Sequence, residues 1–344
     1  MRLLILTQAV DTDNPVLGFF HAWIEALAKD FESIEVICLY EGQHVLPANV
    51  RVHSLGKERG AQSPLIYAAR FLRLSWCLRR NYDAVLVHMN EEYVLLAGWL
   101  WRLLGKRSVL WRNHKEGSWH TRLAAQLVDT VCHTSSAAHV ARFPNARTMP
   151  IGIDMTRFRP DAGRSPNSIL FLGRLDPIKR PEVFLEAMRQ IAKTNPAVHA
   201  NVYGDPSPGR EAYADSMRHT YKNLPNVTFH PGVANNETPS IYRGHTIYVN
   251  LTASGSFDKT IGEAMASGCV VVAANEAVAE ALGPFAVPEG DTERVVKALD
   301  RALALAPKEA EVVGMRNRAY MERGHSLTLL IERLRPILKG EAGQ

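Results

Sequence analysis

Cysteine is scarce: four in 344 residues, none in a C-x-x-C pair. That excludes a disulfide framework and the common zinc and thiol-redox motifs. Cys38, Cys77, Cys132 and Cys269 are widely spaced and mostly set in apolar runs, which predicts small buried hydrophobes in a reducing compartment. No apolar run approaches the roughly 18 residues needed to cross a bilayer. The most apolar stretch, Tyr93–Gly105, contains Arg102 and reads as a buried helix. The opening MRLLILTQAV is too short for a signal peptide and reads as a strand. No G-x-G-x-x-G follows that strand, and no G-x-S-x-G, H-E-x-x-H or Walker sequence occurs. These absences count against a dinucleotide cofactor, a serine hydrolase, a zinc protease and a P-loop enzyme. No helix-turn-helix, zinc-finger or RNA-binding aromatic signature is present, so nucleic acid is not an expected partner. Low-complexity tracts and solenoid repeats are also missing.

What remains is ordinary globular composition, 46% apolar and 22% charged, in a chain long enough for two domains. The net charge of +5 is unevenly spread. Residues 1–150 carry 17 Lys/Arg against 13 Asp/Glu, and the rest 23 against 22. Arg70, Arg73, Arg79 and Arg80 fall along one helical stretch; Lys106, Arg107, Arg112 and Lys115 form a second group. A basic first half suits an anionic membrane surface or an acidic substrate, and equally a solvated helix face. The expected setting is cytoplasmic, with peripheral attachment at the inner membrane face.

Short apolar runs alternate with amphipathic runs along the whole chain, the pattern of parallel sheets covered by helices. The rhythm breaks at GIDMTRFRPDAGRSPNS, where glycines and prolines interrupt any apolar period, which reads as an interdomain linker, and then restarts. This predicts an α/β protein of two Rossmann-like, doubly wound domains, residues 1–160 and 161–325. A C-terminal helix over 326–344, interrupted at Pro336, is expected to return to the first domain. Ligands of such folds sit at the C-terminal edges of the strands, so a cleft between the two edges is the expected site.

Three stretches carry candidate chemistry. In FLGRLDPIKRPE a strand ends at Gly173, and a loop presents Arg174 and Lys179 before a helix start, an arrangement suited to an anion. The alternative is that Arg174 pairs with Asp176 and Lys179 is merely exposed. In SGSFDKTIGEAMASG, Asp258 is placed to cap a helix beginning near Lys259, whose first N–H groups face a ligand. Glu263 follows about one turn later between small neighbours, suited to two sugar hydroxyls, or else a solvent-facing helix residue. In LWRNHKEGS, His114 lies just past a strand end, as a catalytic or a structural histidine. The D-x-D at Asp11–Asp13 reads as a loop rather than a metal site, and no further ligand cluster is visible.

LFLGRLDPIKRPEVFLEAM, NVTFHPGV and FDKTIGEAMASGCVVVAAN, together with PIGIDMTRFRP, resemble retaining family-4 glycosyltransferases (group 1 glycosyl transferases) of the GT-B fold. The likeness covers roughly residues 80–275. It implies that Arg174 and Lys179, after Gly173, grip the donor diphosphate, and that N–H groups near Lys259 and Thr260 touch it. It implies that Glu263 holds the donor ribose and that His114 contacts the transferred sugar. The loop His230–Val233, with Gly232 and Val233, would meet the base. The family's first acid, eight residues before Glu263, is replaced by Gly255; Asp258 is the nearest acid. The implied activity is metal-independent transfer of a hexose, with retention, from a UDP- or GDP-linked donor, with no cofactor. The acceptor is expected to be a glycan or lipid-linked glycan of an envelope polysaccharide. A nucleotide-sugar epimerase of similar architecture and a non-catalytic nucleotide-sugar-binding protein are the alternatives.

Overall fold

The computed structural model describes residues 1–161, 163–252 and 256–341. These divide into two compact units: residues 1–152 with 234–236 and 327 onward, and residues 153–233 with 237–326.

The first unit is built on a parallel sheet of seven strands: β1 (Arg2–Val10), β2 (Ser33–Glu41), β3 (Val50–Ser54), β4 (Ala84–His88), β5 (Arg107–Trp111), β6 (Thr130–His133) and β7 (Ala146–Thr148). Their order is β3-β2-β1-β4-β5-β6-β7. Alternate residues of β1 show why both faces must be covered: Leu3 and Ile5 enter one buried cluster, Leu4 and Leu6 the other. The helix Phe19–Ala28 and the terminal helix Leu327–Lys339 cover the first face. Pro64–Cys77, Glu91–Leu103 and Trp119–Leu127 cover the second. The terminal helix buries Leu330, Ile331, Leu334, Ile337 and Leu338, and Arg107 Nε donates to the Ile337 carbonyl at 3.2 Å.

The second unit repeats the plan with β8 (Ser165–Leu172), β9 (His199–Tyr203), β10 (Val227–His230), β11 (His245–Asn250) and β12 (Val270–Ala273). Its parallel order is β10-β9-β8-β11-β12, so the chain reverses direction across the sheet between β8 and β11. The loops after these two strands carry Arg174 and Lys179, and Asp258 and Lys259, respectively.

Several sequence expectations differ from the structure. Residues 153–160, assigned to the first domain, belong to the second unit: Ile153 bridges Ser326, and Arg318 Nη1 donates to the Phe158 carbonyl at 2.8 Å. Ala234–Asn236 belong to the first unit, where Asn236 Nδ2 donates to Asp13 Oδ1 at 3.0 Å. Strand β3 and the helix Pro307–Gly324 were not expected. That helix buries little beyond Gly314, Asn317 and Met321, too few apolar positions to show a period; a Cβ on Gly314 would strike the Gly268 backbone. The run SAAHVARF yields only the short 3-10 turn His139–Arg142. Pro336 does not interrupt its helix. Cys38, Cys132 and Cys269 are buried as expected, but Cys77 is exposed. No described helix is long and apolar enough to cross a membrane.

Candidate functional site

The loop after β8 is shaped by close backbone contact. Gly173 N–H donates to Tyr203 O and Leu175 N–H to Asp205 O, both at 3.0 Å, stitching this loop to the one after β9. A Cβ on Gly204 would overlap the Gly173 carbonyl, so only glycine lets the two loops pass. Leu175 anchors the turn in the core, and Asp176 Oδ1 accepts from Ile178 N–H at 3.1 Å. Arg174 is left exposed between these anchors. Its guanidinium makes no hydrogen bond or ion pair with a described residue, although its carbonyl accepts from Asp176 N–H at 2.9 Å. Burial would raise the Asp176 carboxyl, but hydrogen bonds, with the Arg174 and Arg210 charges behind them, outweigh it and lower the carboxyl.

Lys179 points to the other loop. Its Nζ lies 2.6 Å from Asp258 Oδ2, with both side chains largely buried. Asp258 caps the helix Lys259–Ala266: its Oδ1 accepts from Thr260 N–H at 3.2 Å and from the Thr260 hydroxyl at 3.0 Å. Oδ2 also accepts from Asn250 Nδ2 and from the Thr252 hydroxyl, each at 3.2 Å. Behind them, Tyr248 donates its hydroxyl to Thr260 Oγ1 at 2.8 Å. Burial alone would raise the Asp258 carboxyl. Lys179 and these donors overcome that and hold it well below the usual carboxylate range.

Two expectations change as a result. The N–H and hydroxyl of Thr260 are already given to Asp258, so Thr260 stands as a positioning residue rather than a direct ligand for an anion. Asp258 has its lone pairs engaged by protein donors; it orients Lys179 and the helix mouth and does not stand free for a sugar hydroxyl. Gly255 lies outside the described residues.

Glu263 is 3% exposed, which rules out a solvent-facing role. Tyr242 donates to its Oε2 at 3.3 Å. Burial raises the Glu263 carboxyl, against the opposing pull of Lys259 and Arg157; burial likewise lowers the Lys259 ammonium. Arg157, from the segment read as a linker, is thus the second cation facing this carboxylate. Its guanidinium is also lowered by burial and supported by Glu263 and Asp154.

The loop His230–Val233 follows β10. His230 stacks on Tyr203 with ring centroids 4.3 Å apart, and its Nε2 bonds Asn201 Oδ1 at 2.8 Å. A Cβ on Gly232 would come 2.6 Å from Asp205 Oδ2, so the loop passes close to the turn after β9. Val233 closes this stretch of the second unit.

His114 belongs to the first unit and is exposed just past β5. Surrounding chain and the Arg112 charge lower its pKa. Beside it Arg112 Nε pairs with Glu91 Oε2 at 3.0 Å, and the His114 carbonyl accepts from His139 N–H at 2.8 Å. Asp11 is already engaged, accepting from Asp13 N–H of its own loop at 3.1 Å and from Gln43 N–H of the loop after β2 at 3.2 Å. Among the described residues, no group of three or more His, Cys, Asp or Glu is arranged to hold a metal ion.

The structure therefore brings Lys179, Asp258 and Thr260 into one network, with Lys259 and Glu263 on the same helix. Tyr242, Tyr248, Asn250, Thr252 and Arg157 were not anticipated. One signal for them was available: Thr246, Tyr248 and Asn250 alternate along one face of β11, while Ile247 and Val249 lie on the other.

Residues 166–304 match the family described as Glycosyl transferases group 1. The D-inositol 3-phosphate glycosyltransferase of Segniliparus rotundus is 28% identical over 193 residues, 51% of this chain and 42% of that protein. That of Rhodococcus opacus is 32% identical over 139 residues, 36% and 31% of the two chains. The chain thus spans between about a third and a half of the length of these curated relatives. Among solved structures, HepE of Anabaena, crystallised with UDP-glucose, aligns with a TM-score of 0.78 at 17% identity, over 99% of this chain and 100% of that one. Sucrose-phosphate synthase of Thermosynechococcus elongatus aligns with a TM-score of 0.79 at 16% identity, over 99% of each chain. The fold is that of the GT-B glycosyltransferases.

Proposed function

We propose, from the premise that residues 166–304 are a domain of the group 1 glycosyl transferase family, that this chain is a retaining hexosyltransferase using a nucleotide-diphosphate-sugar donor. The supporting observation is the Lys179–Asp258 network at the mouth of the helix Lys259–Ala266, with the unpaired Arg174 on the neighbouring loop. Breaking the anomeric C–O bond leaves a sugar of oxocarbenium character and a diphosphate of growing negative charge. Arg174, Lys179 and the helix N-terminus would stabilise that charge as it develops, which a reaction without a metal requires. Glu263 would take the ribose hydroxyls, the loop at Gly232 and Val233 the base, and His114 the transferred sugar. The acceptor in this reading is a glycan or lipid-linked glycan of an envelope polysaccharide, met by a cytoplasmic enzyme at an anionic membrane surface.

A thermal-shift panel of UDP, GDP, ADP and their sugars tests this reading. One diphosphate series is expected to stabilise the protein, by about 2.7 kcal/mol at a hundredfold excess over its dissociation constant. Arg174→Ala should remove that shift while leaving the ligand-free melting temperature nearly unchanged, since the exposed Arg174 side chain makes no hydrogen bond or ion pair with a described residue. No shift with any nucleotide would refute the proposal. Stabilisation without turnover on any acceptor would favour a non-catalytic binding protein, and an epimerised donor formed without acceptor would favour an epimerase.

A further inference from the structure

The helix Pro64–Cys77 of the first unit has an outward face that its charges and apolar groups define. Leu65, Ala69 and Trp76 recur at helical spacing and form one exposed stripe, while Phe71 and Ser75 point into the core and Leu72 packs half-buried against it. Leu65 is 78% exposed and Trp76 51%. The neighbouring helix Glu91–Leu103 adds Trp99 and Leu103, 52% and 77% exposed. The ends of the two helices meet at Tyr82, whose hydroxyl donates to the Ser75 carbonyl at 3.0 Å and whose own carbonyl accepts from Lys106 Nζ at 2.6 Å.

The charges around this stripe have one sign. Between Glu58 and Asp83 the sequence contains five arginines and no acid. Asp83 is neutralised by Arg2 at 2.9 Å, and Glu58 faces Arg59 at 3.5 Å. Arg70 is tied to the Leu55 carbonyl at 2.6 Å, and Arg79 lies 4.2 Å over the Trp76 ring. Arg73 and Arg80 are exposed with no ion pair among the described residues. The exposed acid of the neighbouring helix, Glu92, sits in its first turn, at the far end from Trp99 and Leu103.

The geometry points to this helix as the element that lies flat in the interface of an anionic lipid bilayer, its apolar stripe among the acyl chains and its arginines at the headgroups. Tryptophan at the edge of the stripe suits the interfacial zone. A second copy of the chain fits less well, because two such faces would oppose arginine with arginine. The inference rests on the proposed function only for the membrane setting of the acceptor. Vesicle binding needs neither donor nor acceptor, so the two fail separately.

Co-sedimentation of the full chain with vesicles of mixed phosphatidylglycerol and phosphatidylcholine, against phosphatidylcholine alone, is the test. Binding is expected only to the anionic vesicles and should weaken with added salt. Arg73→Gln with Arg80→Gln should lower the partition by about fivefold per arginine. Leu65→Ser with Trp76→Ser should abolish it, with melting temperatures unchanged because these side chains are exposed. If the second pair fails to fold, the charge pair decides alone. Absence of binding to anionic vesicles, equal binding to phosphatidylcholine, or variants that bind like the parent would overturn the inference. So would self-association of the parent that Leu65→Ser with Trp76→Ser abolishes without any vesicle binding.

Discussion

Lys179→Met is expected to lose sugar transfer and stability together, and adding Asp258→Asn to restore only the stability. The ion pair is 2.6 Å long with side chains 16% and 14% exposed, so removing the ammonium strands a carboxylate out of water. Breaking such a pair from one side costs about 3–5 kcal/mol. Asparagine at 258 removes the stranded charge and keeps an acceptor for Thr260. The transfer rate should stay down about a hundred- to thousandfold in both variants, as for loss of one transition-state charge donor. The pH dependence has a definite sign. The Asp258 carboxyl is held below its ordinary value in the folded state, so its stabilisation is present above the ordinary aspartate pKa of about 4 and is lost as pH falls. Urea melts should therefore show the full gap between parent and Lys179→Met at pH 7 and a shrinking gap as the solution is acidified below that value. Equal stability at pH 7, or ordinary transfer by Lys179→Met, would contradict the assignment.

Glu263→Gln should separate donor binding from chemistry. Glutamine keeps the shape and an oxygen for the Tyr242 hydroxyl, but it is no longer an anionic acceptor for two ribose hydroxyls. Hydrogen bonds to a charged group contribute about 1.5–3 kcal/mol, so donor KM should rise roughly ten- to a hundredfold. A contact made equally in ground and transition states leaves kcat nearly unchanged. Steady-state kinetics against donor concentration check this; an unchanged KM would remove Glu263 from the donor site. The contrast with Lys179, where kcat falls, follows from where charge develops: on the diphosphate and not on the ribose.

The sequence reveals what local pattern encodes. Buried β-strands such as AVLVH and VVVA announce themselves by composition, and loops such as GRLDPIK by their punctuation. Asp258 could be read as a helix cap because capping is a matter of a few neighbouring residues. What stayed hidden depends on distant pairing. Lys179 and Asp258 are 79 residues apart, and only the adjacency of β8 and β11 brings them together. The engagement of Thr260 by Asp258, and hence its loss as a free donor, needs the actual loop geometry. Arg157 sits in a stretch whose glycines and prolines read as a linker, and its approach to Glu263 belongs to the folded second unit alone. The helix Pro307–Gly324 was missed because its inward face, Ala310, Val313, Gly314, Asn317 and Met321, mixes small and polar residues with few large apolar ones, and close packing at Gly314 and the Asn317 bond to the Cys269 carbonyl help seat it.

The central claim is that Arg174 and Lys179, beside the mouth of the helix Lys259–Ala266, receive the departing diphosphate. A crystal structure of the chain with UDP tests it most directly. The account predicts the two phosphates within hydrogen-bonding reach of the Arg174 guanidinium and the Lys179 ammonium, against the first turn of that helix. Phosphates seated elsewhere, with Arg174 still facing solvent and the Lys179–Asp258 pair untouched, would contradict it.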